Sequence, residues 1–470
     1  MFDSLQGTLI HQNISLNSSN TIEYSTKNKH DSTWNKKSWM LKKQNQMPTW
    51  PDINHANRVL DDLNALPPLT TIDEINSLRN DLAEVGRGEK FLLQGGACAE
   101  SFDDVVENKI TAKAKLLTQM ANIITFMVGK QVTIVGRIGG QFAKPRSSEY
   151  EEIKGVKYLS YKGDMINSSV LNHASRIPNP ERMRKGYDLS KITVKKIRNL
   201  CKNNISSLAN IYKWNEEILH DFHQSHSVVN IAQYQNMIID SFLEKESDNT
   251  TLIQRNIFTS HEALLLPYEE SLTRMNNGLS YAHSAHMLWI GERTRELDGA
   301  HVEFVRGIEN PIGIKIGPNY QIKDILSLCK KVNPSNSMGR ISLITRFGQK
   351  KIMNLLPPLI QAIQENGVHV VWVCDPMHGN TYVAKNGIKT RNFDDILNEI
   401  ESFITLHTTQ KTIAGGLHLE LTADNVTECI GGSTKIKEED LADKYLSLCD
   451  PRLNCFQSLE LALWFAEKST

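Results

Sequence analysis

The chain has 470 residues, of which 40% are hydrophobic and 23% charged, enough to bury a large core and to exclude disorder as the main state. Its 53 basic residues balance 53 acidic ones, so no net field draws it onto nucleic acid or an anionic membrane. No apolar run reaches the ~20 residues of a spanning helix and no signal peptide is recognisable, so the expectation is a cytoplasmic protein. Cys98, Cys201, Cys329, Cys374, Cys429, Cys449 and Cys455 are spread thinly with no CxxC pair, which argues against a zinc ribbon, a dithiol redox site or a disulfide framework.

Residues 1–45 are rich in Asn, Ser, Thr and Lys, lack arginine, and read as a flexible or loosely docked extension. Asp3 and Glu23 disfavour a transit peptide, and the sequons at Asn13 and Asn17 carry no meaning without secretion. Residues 46–470 read as one catalytic domain. A helical pattern begins near residue 57, Pro67 and Pro68 make a turn, and Thr71-Ile72-Asp73-Glu74 has the form of a helix start.

Short apolar or β-branched segments then recur, each followed by helical sequence: 91–98, 132–138, 256–261, 286–292, 311–316, 341–346, 369–375 and 414–421. Strands alternating with helices indicate a parallel sheet, and eight such units close an α/β (β/α)8 TIM barrel. A doubly wound open sheet is the alternative. The barrel is favoured because polar residues suited to chemistry stand at the C-terminal end of almost every candidate strand, where barrels place their sites, and not near one switch point. The long connection between the second and third strands must carry structure of its own. It reads as a helical insertion over about 165–250, with stripes Leu208, Ile211, Ile218, Phe222 and Ile231, Tyr234, Ile238, Phe242.

Four strand-end or loop residues could hold a metal ion if the barrel gathers them: Cys98, His378, Glu420 and Asp450. Taken singly, each has a structural reading as a buried thiol, a loop histidine, a surface carboxylate or a turn aspartate. Together they make an S/N/O/O set for a divalent ion, which would act as a Lewis acid on a carbonyl. If Cys98 and Asp450 share one ion, Cys449 falls beside Cys98. Cations also stand at strand ends: Arg137, Lys144, Arg146, Arg293, Lys315 and Arg346. Buried positive charge is costly without a counterion, so either acids pair with these side chains or an anionic ligand does. Ion-paired barrel rims account equally well for Arg146 and Arg295, less well for Lys315 inside an apolar strand. Nucleotide phosphate loops and a GxSxG elbow are absent.

In order, LLQGGACAESF, VGRIGGQFAKPRS, YKGDMIN, SHEALLLPYE, SAHMLWIGERTRELDGAHVEF, NPIGIKIG, ITRFG, VCDPMHGNT, GGLHLELTADNVTECIGG and CDPRLNCFQSLELA resemble the successive motifs of the class II (plant-type) 3-deoxy-D-arabino-heptulosonate 7-phosphate (DAHP) synthases, from about Trp39 to Glu467. The resemblance implies a (β/α)8 barrel with an N-terminal extension and an inserted helical pair. It implies a metal-dependent condensation of phosphoenolpyruvate with D-erythrose 4-phosphate, the first step of the shikimate pathway. Cys98, His378, Glu420 and Asp450 match the family's metal ligands. Arg137, Lys144, Glu292, Arg293, Lys315 and Arg346 match its phosphoenolpyruvate and phosphate contacts, with Trp289 alongside, and Ser147 matches a sugar-phosphate contact.

Catalytic roles are expected for Lys144, Glu292 and Lys315; Lys144 and Glu292 remain alternatives for activating water. The implied ion is Mn2+, with Co2+ or Mg2+ as alternatives. A homo-oligomer (dimer or tetramer) and an aromatic amino-acid effector are further implications. One departure is Ala97, where the family motif usually reads Gly-Gly-Asp-Cys. It keeps open an aminated-sugar or secondary-metabolite variant, such as one serving phenazines, and a non-catalytic regulatory paralogue. A barrel hydrolase is disfavoured by the many cations and the few histidine ligands.

Overall fold

The computed structural model describes residues 34–153, 155–221 and 256–469, with Gln233, Asn236, Met237 and Asp240. All eight candidate segments form strands: β1 (Lys90–Gly96), β2 (Gln131–Arg137), β3 (Ile257–Glu262), β4 (Met287–Ile290), β5 (Ile312–Ile316), β6 (Ile341–Thr345), β7 (Val371–Cys374) and β8 (Gly416–Glu420). They close into a parallel barrel in chain order, with β8 pairing with β1. This is the (β/α)8 architecture that the strand count implies, and it excludes the open sheet.

The register sets the chemistry. Gly96 at the end of β1 stands level with Arg137 on one side and Glu420 on the other. Gly96 has φ +146°, and a Cβ there would lie 2.6 Å from the Arg137 carbonyl oxygen, so only glycine lets these two strand ends approach. Around the ring, Glu262 pairs with Trp289, and Lys315 with Ile344.

Helix α1 (Ile53–Ala65) leads through the Pro67-Pro68 turn to α2 (Ile72–Gly86). The Thr71 hydroxyl accepts from Glu74 N while the Glu74 carboxylate accepts from Thr71 N, a capping box at the expected helix start. The spacing of Leu78, Leu82 and Val85 gives α2 one apolar face, which packs with Leu92, Val135, Phe258, Met287, Ile344, Val371 and Val373 inside the barrel. The outer ring includes α3 (Glu107–Val128), α6 (Ile322–Val332), α7 (Ile352–Glu365), α8 (Phe393–Thr409) and α9 (Cys455–Ser469). The Phe91 and Phe465 rings, 4.6 Å apart, join β1 to α9.

Between β2 and β3 an antiparallel hairpin (Tyr150–Ile153 with Val156–Leu159) precedes α4 (Glu181–Lys202) and α5 (Leu208–Asp221). The sequence reading did not anticipate this hairpin, because its strands are four residues each and half polar. In the first helical stripe, Leu208, Ile211 and Ile218 fall on α5 and Ile211 is buried. Phe222, Ile231, Tyr234, Ile238 and Phe242 lie outside the described residues, as do residues 1–33.

Residues 34–45, which composition groups with the N-terminal extension, pack on the barrel exterior. Trp39 is buried, and its indole N–H donates to Glu270 Oε2 at 2.9 Å. The Trp34 N–H donates to the Glu303 carbonyl at 2.9 Å. No helix among the described residues is long and apolar enough to cross a membrane.

Candidate active site at the barrel mouth

Cys98, Arg137, Lys144, Ser147, Trp289, Glu292, Arg293, Lys315, Arg346, His378 and Asp450 line one cavity of about 390 Å3 at the C-terminal strand ends. Glu420 lies fully buried just beneath it and is joined to Arg137. The fold thus brings together every residue singled out from the sequence.

The ligating atoms of Cys98, Glu420 and Asp450 all lie within 4.8 Å of one another. His378 joins through Nε2, 3.1 Å from Glu420 Oε1. Its Nδ1 faces Asp375 Oδ2 at 2.7 Å; with a proton there, the Nε2 lone pair would be left to face an ion in the cluster. Burial opposes ionisation of Glu420, but His378, Arg391, Lys144 and Arg137 hold its carboxyl well below the usual range. Asp375 is likewise held well below it by His378 and Lys315, against burial.

The Lys144 ammonium touches Cys98 Sγ at 2.6 Å and Asp450 Oδ2 at 2.7 Å, showing that this knot of donors accommodates a cation. Burial works against that charge, yet Cys98, Asp450 and Glu420 keep the Lys144 pKa well above its ordinary value. Thiolate, imidazole and two carboxylates are a donor set suited to a divalent ion, so these residues fit one. Cys449 lies beside Cys98, as expected of the neighbour of Asp450.

Beside the cluster the mouth is cationic. Lys315 Nζ reaches Asp375 Oδ2 at 2.9 Å and lies 5.9 Å from the centre of the Trp289 ring, with Arg137 Cζ at 5.2 Å from the same ring. Burial draws the Lys315 pKa down, against the pull of Asp375. Arg346 Nε, Trp289 Nε1 and Glu262 Oε1 are buried with no hydrogen-bond partner among the described residues. Orphaned polar atoms at one mouth are costly unless a polar ligand satisfies them. Arg293 donates to Ser147 Oγ at 2.7 Å. The ion-paired reading suits Arg146, which bonds Glu151, and Arg295, which grips Glu292 through both nitrogens at 2.6 and 2.9 Å.

Several residues were missed. Arg391, fully buried, donates to Glu420 Oε2 at 2.7 Å and also to the Pro451 carbonyl, tying two ligand segments together. Nothing in its TRNF context marks it. His418 accepts from Arg137 at 2.6 Å through Nε2 and donates through Nδ1 to Gln94 Oε1 at 2.8 Å, which locks the Arg137 guanidinium. Gln94 and His418 are polar residues inside apolar strands, the same signal that exposed Lys315. Glu262 ends β3, where the strand-end rule would have found it.

Two buried carboxylates shape the loops. Glu399 on α8 accepts from Phe347 N at 3.2 Å, Gly348 N at 2.9 Å and Asn380 Nδ2 at 2.7 Å, joining the loop after Arg346 to the loop after His378. A Cβ on Gly348, at φ +83°, would lie 2.6 Å from the Gly379 carbonyl oxygen, so these loops touch through backbone. Glu428 receives five hydrogen bonds of 2.7–3.0 Å from Leu446 N, Ser447 N and the backbone N, Nε and Nη2 of Arg452, framing the turn that carries Asp450.

The sequence model of the class-II DAHP synthetase family matches residues 34–466. The chain is 42% identical to a phospho-2-dehydro-3-deoxyheptonate aldolase of Streptomyces coelicolor over 90% of its own length and 94% of that protein's. It is 42% identical to one from Mycolicibacterium smegmatis, covering 90% and 92% of the two chains. It is 41% identical to one from Neurospora crassa, covering 92% and 94%.

Proposed function

The chain belongs to the class-II DAHP synthetase family, and on that premise we propose how its barrel mouth condenses phosphoenolpyruvate with D-erythrose 4-phosphate, giving 3-deoxy-D-arabino-heptulosonate 7-phosphate and phosphate. The observation that carries the assignment of residues is the convergence of Arg137, Lys315 and Arg346 on the same cavity as the Cys98–Glu420–Asp450 cluster. Cys98, His378, Glu420 and Asp450 would hold the divalent ion on which this family depends, Mn2+ in our reading with Co2+ or Mg2+ as alternatives. When bound, the ion supplies a Lewis acid for the aldehyde oxygen of the sugar phosphate.

Arg137, Lys315 and Arg346 hold the carboxylate and phosphate of phosphoenolpyruvate by charge-assisted contacts, and Trp289 flanks them. The orphaned Arg346 Nε is a donor free for that purpose. Arg293 joins the phosphoenolpyruvate and phosphate contacts, and Ser147 beside it receives the sugar phosphate. C3 of phosphoenolpyruvate attacks the aldehyde carbon, water adds to the resulting cationic C2, and phosphate leaves with cleavage of its bond to C2. The cations stabilise charge as it shifts onto phosphate oxygens. Lys144, held protonated by its anionic neighbours, is placed to donate a proton. Glu292 is engaged by Arg295 and by Gly317 N at 2.6 Å, which leaves it an orienting part and less freedom as a base.

Ala97 keeps the backbone role of its position, since its carbonyl accepts from Arg137 Nε at 3.1 Å; only a carboxylate is missing there. We take residues 46–470 as one catalytic domain, and the protein as a cytoplasmic homo-oligomer, dimer or tetramer, responsive to an aromatic amino acid; family resemblance supports these points. The test is loss of phosphoenolpyruvate with erythrose 4-phosphate and Mn2+, with and without chelator. Turnover that chelation stops supports the reading, and no turnover with any divalent ion would sink it in favour of a non-catalytic paralogue.

A further inference from the structure

The loop after β2 has no regular structure between Arg137 and the hairpin at Tyr150, so contacts must fix the positions of Arg146 and Ser147. One of these contacts comes from outside the barrel. The Arg146 backbone N–H donates to the side-chain oxygen of Gln46 at 2.8 Å. Gln46 belongs to the segment that Trp34 and Trp39 pin to the barrel wall. Its backbone is left-handed, with φ 65°, a conformation that glycine would adopt without strain and that a residue bearing a side chain adopts at a cost. A glutamine there is explained by the use made of its side chain.

The same segment grips the loop after β4. The Lys43 carbonyl accepts from Ala300 N at 3.0 Å, and Lys43 and Asn45 both hold Glu296. That loop carries Arg293, which donates to Ser147 Oγ at 2.7 Å. A closed circuit results: the segment at 43–46 touches both loops from behind, and the loops meet in front through Arg293 and Ser147.

We propose that residues 43–46 form a strap that sets the spacing of the sugar-phosphate subsite, with Gln46 as its positioning residue. This rests on the reading of Ser147 as a sugar-phosphate contact. Gln46 touches no substrate; it holds Arg146 N, and through the chain holds Ser147 opposite Arg293. Of the phosphoenolpyruvate cations, Arg137, Lys315 and Arg346 come from strand ends, which the strap does not touch, and Gln46 itself bonds the loop of Ser147, so losing its contact should weigh on the sugar phosphate more than on phosphoenolpyruvate.

Gln46→Met removes the acceptor at nearly constant volume, and Gln46→Glu keeps an acceptor oxygen. The expected result for Gln46→Met is a KM for erythrose 4-phosphate raised roughly two- to tenfold, the value of one hydrogen bond, with kcat and the KM for phosphoenolpyruvate within about twofold of wild type. Gln46→Glu should stay within about twofold throughout. Unchanged kinetics in Gln46→Met overturn the proposal. So does a parallel change in both KM values and kcat, or a Gln46→Glu variant as impaired as Gln46→Met. Ser147→Ala, assayed alongside, separates the two claims: if its KM for erythrose 4-phosphate does not rise, the subsite reading fails, whatever the strap variants show.

Discussion

At the N-terminal end of the barrel, Leu78, Leu82 and Val85 of α2 meet Leu92, Val371 and Val373 in an apolar plug. At the C-terminal end, Arg137, Arg391, Glu420, Lys315 and Asp375 are also buried, although all bear ionisable side chains. Burying the plug stabilises the fold at about 25 cal/mol per Å2 of apolar surface. Burying the ion pairs does little of that, because desolvation offsets their attraction and apolar replacements are often neutral or better. The mouth is therefore organised for a ligand and the base for stability, and variants should separate the two.

The largest effect belongs to the cluster. Glu420→Ala or His378→Ala should lower turnover by about 10^2-fold or more even with excess Mn2+, since groups one step further from a metal already matter by about 10–100-fold. Normal turnover in either variant would break the contrast at its strongest point. At the other end, Leu82→Ala should lower unfolding free energy by about 2–5 kcal/mol in urea titration while both KM values stay put. A kinetic change without loss of stability would mean that the plug is not merely a plug.

Arg346→Ala should raise the KM for phosphoenolpyruvate and lower turnover, with about 1.5–3 kcal/mol lost in kcat/KM and little change in urea midpoint. Lys315→Ala sharpens the comparison, because it removes the ammonium that lies 2.9 Å from the buried Asp375 carboxylate and should lose stability as well as kinetics. The smallest effect is expected for Ala97→Asp, under about 1 kcal/mol in kcat/KM with the substrate pair unchanged. An inert natural protein made active by that substitution would reverse the reading of Ala97.

The contrast also explains what the sequence disclosed. Strands were legible because each is a short apolar run, several of them ending in or next to a polar residue, as at Arg137, Lys315 and Glu420. The ligand cluster was legible once the barrel was assumed, because Cys98 and Glu420 lie at or just beyond strand ends that register makes neighbours. Arg391 was not, since its partners Glu420 and Pro451 come from distant segments and its own context is a loop before the α8 cap. The grip of Gln46 on Arg146 was hidden for the same reason: it joins residues 100 apart in sequence through a side chain in a polar stretch. The hairpin at 150–159 was missed because it faces no core, so no apolar alternation marks it.

The turn around Glu428 bears on how sequences of this kind can vary in length. Its carboxylate is met by backbone donors at 446, 447 and 452, so the number of residues between them is fixed by the circumference of one side chain. An insertion or deletion at 448–451 would pull Asp450 away from Cys98 whatever residue was added. Gaps in this part of the chain should fall before 446, at 433–444, where half of the residues are exposed and the loop can grow without moving the turn.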